Sequence, residues 1–288
     1  MQQALIITQG KTGWGFRAAP DLPVEALLLG KPAEQAASLL PRLFNLCAAA
    51  QSMGARLALG LPVADDNRLG LEILRDHLLK LCVIWPTLLG MKPLALPHDP
   101  MALDALHLPA GGVDYFAWTR SQSGLAPVLA AIAHSFAPGE AVADLPLMRP
   151  ETALDRCAQD NSVAARNAAH PAMQAIAARF GHGPFWRASA LIFDIATLRH
   201  TTPQARICAD GTVVVPAARG AYALRARSAA GVVSGFARRT PTDHLCAANG
   251  VLQRSLDSLP PAKPHLLPLL IDILAPCVAV QLPQVHHA

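Results

Sequence analysis

The sequence has six cysteines but no CxxC pair, and the cysteines lie far apart along its 288 residues. This spacing argues against a zinc ribbon or knuckle, and against the disulfide scaffold of a small secreted domain. The sequence also has no Walker loop, no GxGxxG after a predicted strand, no GxSxG and no HExxH motif. These absences leave no sequence support for the common nucleotide-binding, serine-hydrolase and zinc-protease chemistries.

Charged residues are scarce, at 15% of the chain against 52% apolar residues, and the net charge is only +4. The basic residues are scattered, and Arg238 with Arg239 forms the only adjacent arginine pair. No cluster of lysines and arginines has aromatic residues interleaved with it. The sequence therefore gives no support for nucleic-acid binding.

Long uninterrupted apolar runs are also missing, although the apolar share is high. The run Leu81–Met91 is too short to cross a bilayer, and the longer segment Leu266–Leu282 contains Asp272 and two prolines. The first ten residues, MQQALIITQG, lack the basic start and long apolar stretch of a secretion signal. We therefore expect a cytoplasmic protein without a membrane span.

Helical periodicity dominates the sequence, and one segment rich in β-branched residues interrupts it. In that segment, Asp210-Gly211 and Ala230-Gly231 separate apolar runs, which predicts a meander of three or four antiparallel strands over about 204–240. The other predicted elements are a hairpin over 4–17 and helices over 32–60 (with a possible break at Pro41), up to about 85, and over 123–136, 151–180 (with a possible interruption before Pro171), 184–198, 243–258 and 265–274. The expected fold class is α+β, mainly helical with a small antiparallel β meander. We expect one domain over 1–288, with a helical body at about 20–200 and final helices at about 243–275.

Two cysteines near opposite ends of the chain, Cys47 and Cys277, stand in apolar surroundings. Taken alone, each is most simply interpreted as core packing, because free cysteine behaves as a small buried hydrophobe. The alternative is that the two thiols are ligands of one metal site.

Four segments, in order, resemble the motifs of nickel–iron hydrogenase large subunits. RLFNLCAAAQSMGARLAL is similar to their N-terminal metal motif, and VPAARGAYAL to their Pro-Arg-Gly segment. RTPTDHLCAANGVLQRSLDSLP is similar to the Pro-Thr segment that follows, and DILAPCVAV to the C-terminal Asp-Pro-Cys-x-x-Cys-x-x-His motif. The resemblance implies a large-subunit-like fold in which the two ends of the chain meet.

The first motif keeps only part of the ligand set that the resemblance implies. Phe44 replaces the first cysteine of the family pair, Cys47 stands at the second, and Gln51 replaces the histidine. In the family, the first cysteine of each pair binds nickel alone and the second bridges nickel and iron. Cys47 therefore corresponds to a bridging thiol.

The last motif keeps one thiol, and two registers are open. If Pro276-Cys277 matches Pro-Cys, then Cys277 is the first cysteine and Val280 replaces the second. If Asp272 matches the family aspartate, then Leu274 replaces the first cysteine and Cys277 is the second. In the second register the chain keeps both bridging thiols and lacks both nickel-only thiols.

The chain most resembles the hydrogenase expression/formation accessory proteins of the HupK/HoxV type, which are similar to shortened large subunits. That resemblance implies a scaffold or chaperone in hydrogenase maturation, not an enzyme. It would hold an Fe(CN)2CO fragment transiently on Cys47 and Cys277. Its partners would be the maturation proteins that build and deliver the fragment, and the hydrogenase large subunit that receives it.

Two thiolates are too few for an all-thiolate zinc or iron–sulfur site, but two cis thiolates can hold an iron that already carries strong-field ligands. The resemblance assigns Arg219, Thr240 and Thr242 as the groups that contact this fragment. An arginine offers a fork of N–H donors and a permanent charge to an anionic complex, and a threonine offers a hydroxyl donor. Their simpler interpretations are a surface arginine on a hairpin and threonines in a turn or cap.

A second function, from a different class, is a metal-free degenerate protein that keeps the fold and binds maturation partners. In that case Cys47 and Cys277 would lie far apart or be buried singly. An active hydrogenase is poorly supported, because the nickel ligands and the terminal histidine are missing.

Overall fold

The computed structural model describes residues 4–10, 13–20, 22–109 and 114–283. The described α-helices are α1 (Val24–Leu28), α2 (Ala33–Leu43), α3 (Ala48–Ala58), α4 (Arg68–Leu79), α5 (Trp85–Leu88), α6 (Tyr115–Thr119), α7 (Ala126–Ser135), α8 (Val163–Asn167), α9 (Pro171–Phe180), α10 (Pro184–Leu198), α11 (Pro241–Leu245), α12 (Val251–Asp257) and α13 (Leu267–Leu274). Shorter 3-10 turns cover Asn45–Cys47, Asp104–Leu106, Pro150–Thr152 and Pro264–Leu266, and a π-helical turn covers Lys80–Ile84.

Two small sheets accompany these helices. Their strands are β1 (Ala4–Gly10), β2 (Gly13–Arg17), β3 (Arg206–Ile207), β4 (Val213–Ala217), β5 (Gly220–Ala229), β6 (Val232–Arg239) and β7 (Ala279–Gln281). The first sheet has the order β2-β1-β7, with β1 antiparallel to β2 and parallel to β7. The second is the antiparallel meander β3-β4-β5-β6. The α+β class, the early hairpin and the meander are confirmed.

The meander turns follow the predicted turn chemistry. Ala230 and Gly231 both have positive φ, 51° and 76°, as a two-residue hairpin turn requires. Gly211 also has positive φ, 82°, after Asp210. The turn between β4 and β5 is formed by Ala218 and Arg219, because Ala217 pairs with Gly220. It brings Arg219 to the tip of a hairpin.

Some predicted helices are wrong in their extent. The predicted break in 32–60 is not at Pro41, whose fixed φ is accommodated inside α2; the helix ends at Leu43, and Phe44 has φ −131°. The helix predicted to end at about 85 continues to Leu88 through the π-helical turn. There, the carbonyl of Cys82, which Pro86 cannot bond, accepts a hydrogen bond from the Leu94 N–H at 2.8 Å.

The predicted helix over 151–180 is wrong in its first part, but its predicted interruption before Pro171 is confirmed, since α8 ends at Asn167 and α9 begins at Pro171. The segment before α8 is irregular after the 3-10 turn Pro150–Thr152, because tertiary hydrogen bonds replace helical ones. The Asp160 N–H donates to the Pro146 carbonyl at 2.8 Å, and the Asp160 carboxylate accepts from Arg187 at 2.7 Å. The predicted helix over 243–258 is two helices, α11 and α12, separated at Gly250.

One apolar core lies among the helices and another between the meander and helices α2 and α3. Helix α3 lies close to the sheet because it has a glycine at the contact. A Cβ at Gly54 would approach the Leu224 side chain to 2.5 Å and the Val215 side chain to 3.2 Å. This close packing holds the start of α3 beside β5. Among the described residues, no helix is long and apolar enough to cross a bilayer.

Candidate functional site

Cys47 lies at the start of α3 and is fully buried. The helix begins here because a side chain from α4 satisfies its first free amides. The Glu72 carboxylate accepts hydrogen bonds from the N–H groups of Ala49 and Ala50, at 2.8 and 3.3 Å. Glu72 therefore fixes the turn that carries the Cys47 thiol.

Cys277 is partly buried and lies between α13 and β7. Helix α13 ends at Ala275, whose left-handed conformation (φ 56°) is that of a helix C-terminus. The Cys277 N–H donates to the Thr242 hydroxyl at 2.7 Å, and the Pro276 carbonyl accepts from Arg219 at 2.6 Å. The Thr242 and Arg219 side chains thus hold both polar atoms of the Pro276–Cys277 peptide group.

The two thiols lie together, and Tyr222 of β5 contacts both. Its hydroxyl donates to the Cys277 sulfur at 3.6 Å, and the Cys47 and Cys277 thiols are within hydrogen-bonding reach of each other. Cys47 and Cys277 are therefore adjacent in the fold, as the resemblance implies. The premise of the metal-free alternative, distant or singly buried thiols, is wrong.

The pKa values of the two thiols are shifted in opposite directions. A hydrogen bond from Cys47, together with the Arg219 charge and the hydroxyls of Tyr222 and Thr242, lowers the pKa of Cys277 to about 6 against the effect of burial. The same hydrogen bond, together with burial, raises the pKa of Cys47 far above its usual range. These opposite pKa shifts favour a state in which the two thiols hold one proton between them and carry a single negative charge at neutral pH.

Arg219 turns inward from the β4–β5 turn, and its side chain is only 15% exposed. It is on a hairpin, as its simpler interpretation states, but it is not a surface arginine. One guanidinium nitrogen bonds the Pro276 carbonyl, and the other lies 3.3 Å from the Asp76 carboxylate. Its buried Nε has no hydrogen-bond partner among the described residues. The charge of Arg219 therefore acts directly on Cys277.

A second arginine fixes the turn that carries Arg219. Arg166 of α8 donates to the carbonyls of Ala217 and Gly220, at 2.9 and 2.8 Å, on the two sides of the turn. Its other nitrogens bond both carboxylate oxygens of Asp194 at 2.8 and 2.6 Å. Because Asp194 lies within helix α10, the orientation of Arg219 is tied to the helical core.

Cys277 opens onto a cavity of about 860 Å³, whereas Cys47 is fully buried beside it and does not line the cavity. Cys277, Tyr222, Thr242, Gln51 and Cys246 all line it. Burial raises the pKa of Cys246 to about 12, so this third thiol is protonated at neutral pH. The cavity gives the thiol pair a route to solvent.

The two predicted threonines have different surroundings. Thr242 contacts Cys277 through its hydroxyl. Thr240 also lines the cavity, but its hydroxyl caps α11 by accepting from the Asp243 N–H at 3.2 Å. The capping interpretation therefore holds for Thr240, and its contact with a bound fragment stays a prediction.

Sequence reasoning missed several residues of the site. Tyr222 lies three residues after Arg219 within the resembling segment, so proximity to that motif was an available signal. Glu72, Asp76 and Arg166 lie outside all four segments, and nothing in the sequence pattern identifies them. They reach the site only through long-range contacts.

Comparison with known proteins gives one strong relative. The hydrogenase expression/formation protein HupK of Rhodobacter capsulatus is 54% identical over 275 residues, which cover 93% of this chain and 92% of that protein. This chain belongs to the HupK family of hydrogenase expression/formation proteins. No protein-family model matches it. The resemblance to accessory proteins of the HupK/HoxV type is thus confirmed. Cys47 and Cys277 are therefore cysteines of a HupK-family protein.

Proposed function

We propose that this HupK-family protein is a scaffold in nickel–iron hydrogenase maturation. It receives an Fe(CN)2CO fragment on Cys47 and Cys277 and passes it to a hydrogenase large subunit. The observation that carries the proposal is the adjacent, polarised thiol pair beside a buried guanidinium. The name of its relative, a hydrogenase expression/formation protein, supports the maturation role.

The number of ligands favours a preassembled fragment over a bare ion. Among the described residues, no group of three or more His, Cys, Asp or Glu side chains is arranged to hold a metal. A structural zinc site requires four protein ligands, and even a catalytic site requires three. A fragment that brings two cyanides and one carbonyl needs only two thiolates from the protein to reach five ligands. Cys47 and Cys277 supply that number.

Proton transfer accompanies capture of the fragment. The thiol pair already carries one negative charge, so one sulfur is ready to bind iron at neutral pH. The shared proton must leave when the second sulfur binds, because metal ligation requires the thiolate. Binding is therefore reversible by protonation of Cys47, whose burial favours the neutral thiol. This reversibility suits a scaffold that must release its cargo.

Arg219 and Thr242 support the site in different ways. Arg219 offsets the negative charge of the thiolates and their anionic cargo, and it holds Cys277 through the Pro276 carbonyl. Thr242 orients Cys277 through its backbone N–H. Neither role requires a reaction at the site, which agrees with an accessory protein that is not an enzyme. The maturation proteins that supply the fragment and the large subunit that accepts it are the expected partners.

Infrared spectroscopy tests the proposal. The protein is purified without oxygen from cells that contain the maturation proteins, and the CN and CO stretching region is recorded. We expect two CN bands and one CO band in the wild type, and none in Cys47→Ala or Cys277→Ala. Cys157→Ala is the matched control, because Cys157 is exposed and should leave the bands unchanged.

Two results would contradict the proposal. One is the absence of CN and CO bands from wild-type protein, which would favour a metal-free interaction protein. The other is a set of bands that persists when Cys47 and Cys277 are both changed to Ala, which would place the iron elsewhere. Iron content measured on the same samples distinguishes loss of the fragment from loss of its diatomic ligands.

A further inference from the structure

Gln51 is a fully buried polar residue that lacks partners. Its side chain is 0% exposed, and neither the carboxamide oxygen nor the nitrogen has a hydrogen-bond partner among the described residues. Burying an amide without hydrogen bonds costs about 1–3 kcal/mol in proteins. A ligand that hydrogen-bonds to this amide would offset that cost.

Gln51 is located at the thiol site. It lies in the first turn of α3, four residues after Cys47, which is the N-cap of that helix. Gln51 also lines the cavity that Cys277, Tyr222 and Thr242 line. The unpartnered amide and Cys277 therefore border one volume, and Cys47 lies within hydrogen-bonding reach of Cys277.

We propose that the Gln51 carboxamide is the direct hydrogen-bond donor to the bound fragment, with its N–H group on the nitrogen of a cyanide ligand. This inference rests on the proposed function. Cyanide bound to iron presents a terminal nitrogen with negative character, which accepts hydrogen bonds from amides. The ligand class for this position is an anionic metal–cyanide complex.

Most other polar groups beside the thiols already have partners; the Arg219 Nε is also unpaired among the described residues, but Arg219 does not line this cavity. The two terminal nitrogens of Arg219 bond the Pro276 carbonyl and Asp76, and the Thr242 hydroxyl bonds Cys277. The Tyr222 hydroxyl donates to sulfur. Gln51 is the cavity-lining amide with both polar atoms unpaired, so its donors are available without breaking an existing contact.

The test compares Gln51→Met with wild-type protein, both loaded with the fragment in cells and purified without oxygen. Met keeps the length of the side chain and removes both donors. We expect one CN band to shift while the CO band moves less, because only a cyanide loses its donor. We also expect the fragment to dissociate about tenfold faster, as for a lost hydrogen bond to a charged group. Gln51→His, which restores an N–H donor, should move the band back toward its wild-type position.

Thermal unfolding of the metal-free proteins separates a ligand contact from a structural role. Gln51→Met should raise the melting temperature by about 2–4 °C, because it removes an unsatisfied amide. Gln174→Met, at an exposed position of helix α9, is the matched control and should change neither the melting temperature nor the infrared bands. A lower melting temperature for Gln51→Met would show that Gln51 supports the fold, and would overturn the inference.

The infrared outcomes distinguish this inference from the function on which it rests. If the wild type shows bands that Gln51→Met leaves at the same frequencies with the same dissociation rate, only the role of Gln51 is refuted. If the wild type shows no bands, the proposed function and this inference both fail.

Discussion

Two buried polar clusters of this chain differ in how completely their groups are paired. Around Asp194, both carboxylate oxygens accept hydrogen bonds, from Arg166, His77 and Asn167. Burial alone would raise the pKa of Asp194, but the Arg166 charge and the donors lower it well below its usual range. This cluster ties α4, α8 and α10 together.

Within the described part of the chain, more groups are unpaired around Cys47 and Cys277, whereas in the Asp194 cluster the unpaired atom is the His77 Nδ1. Gln51 has no partner among the described residues, the Arg219 Nε is likewise unpaired, and the two thiols share a proton. Each cluster combines fully buried residues with partly buried ones. The Asp194 cluster links three helices, and in our proposal the unpaired donors of the thiol cluster serve a ligand. Variants in each cluster should therefore affect different measurements.

The largest expected effect is on stability, in the Asp194 cluster. Asp194→Ala leaves Arg166 and His77 without their buried carboxylate, which should cost about 3–5 kcal/mol in the free energy of unfolding. Urea denaturation measures this loss. Asp104→Ala is the control, because that carboxylate is 97% exposed and lies 3.5 Å from Arg199, so its loss should cost less than about 1 kcal/mol. Equal losses in the two variants would contradict the comparison.

The next effect is on pH dependence, in the thiol cluster. The rate of Cys277 alkylation, followed by mass spectrometry from pH 5 to 9, should level off above its pKa of about 6, while that of Cys246, with a pKa of about 12, keeps rising. Cys47→Ala removes the hydrogen bond that lowers the Cys277 pKa most, so the midpoint should move upward. An unchanged midpoint would show that the thiols do not share a proton.

The lowered pKa of Cys277 also makes the stability of the fold depend on pH. Because the Cys277 pKa is lowered in the folded protein from 9.0 to about 6, its thiolate stabilises the fold fully above pH 9. That contribution is lost as the pH falls from 9 through 6. Stability curves of wild-type and Cys277→Ala protein should therefore converge toward pH 6, and curves that run parallel across this range would contradict the assignment.

The smallest effect is expected for Thr242→Val, which keeps the side-chain shape and removes the hydroxyl. The Cys277 N–H loses its acceptor, so we expect a cost of about 1 kcal/mol and a raised Cys277 pKa. Chemical denaturation and the alkylation profile measure the two quantities. Thr197→Val is a control, because the hydroxyl of Thr197 bonds the Phe193 carbonyl within α10. A raised Cys277 pKa in that control would point to a general loss of packing.

The parts of the fold that depend on short-range chemistry were predictable. Asp210-Gly211 and Ala230-Gly231 mark real turns, and Pro184 begins α10 as expected. Tertiary hydrogen bonds caused the failures. The predicted helix over 151–180 is interrupted where Asp160 pairs with Arg187, a contact between side chains that no local pattern reveals.

The candidate site was predictable only through resemblance to a family. Cys47, Cys277 and Arg219 come together as the four motifs implied, although composition alone favoured core packing for both thiols. Glu72 and Arg166 were not predictable, because each acts through a contact with a distant backbone segment. The sequence identifies Gln51 as the residue that replaces the family histidine. Its burial without hydrogen-bond partners among the described residues, which only the structure shows, indicates what its side chain does.

The parallel pairing of β7 with β1 has a consequence for the timing of synthesis. Residues 279–281 complete a sheet that the first strand begins, and Cys277 lies immediately before them. A ribosome must therefore synthesise the chain beyond residue 281 before the second sulfur can reach the first. Under the proposed function, iron delivery would follow translation of this strand.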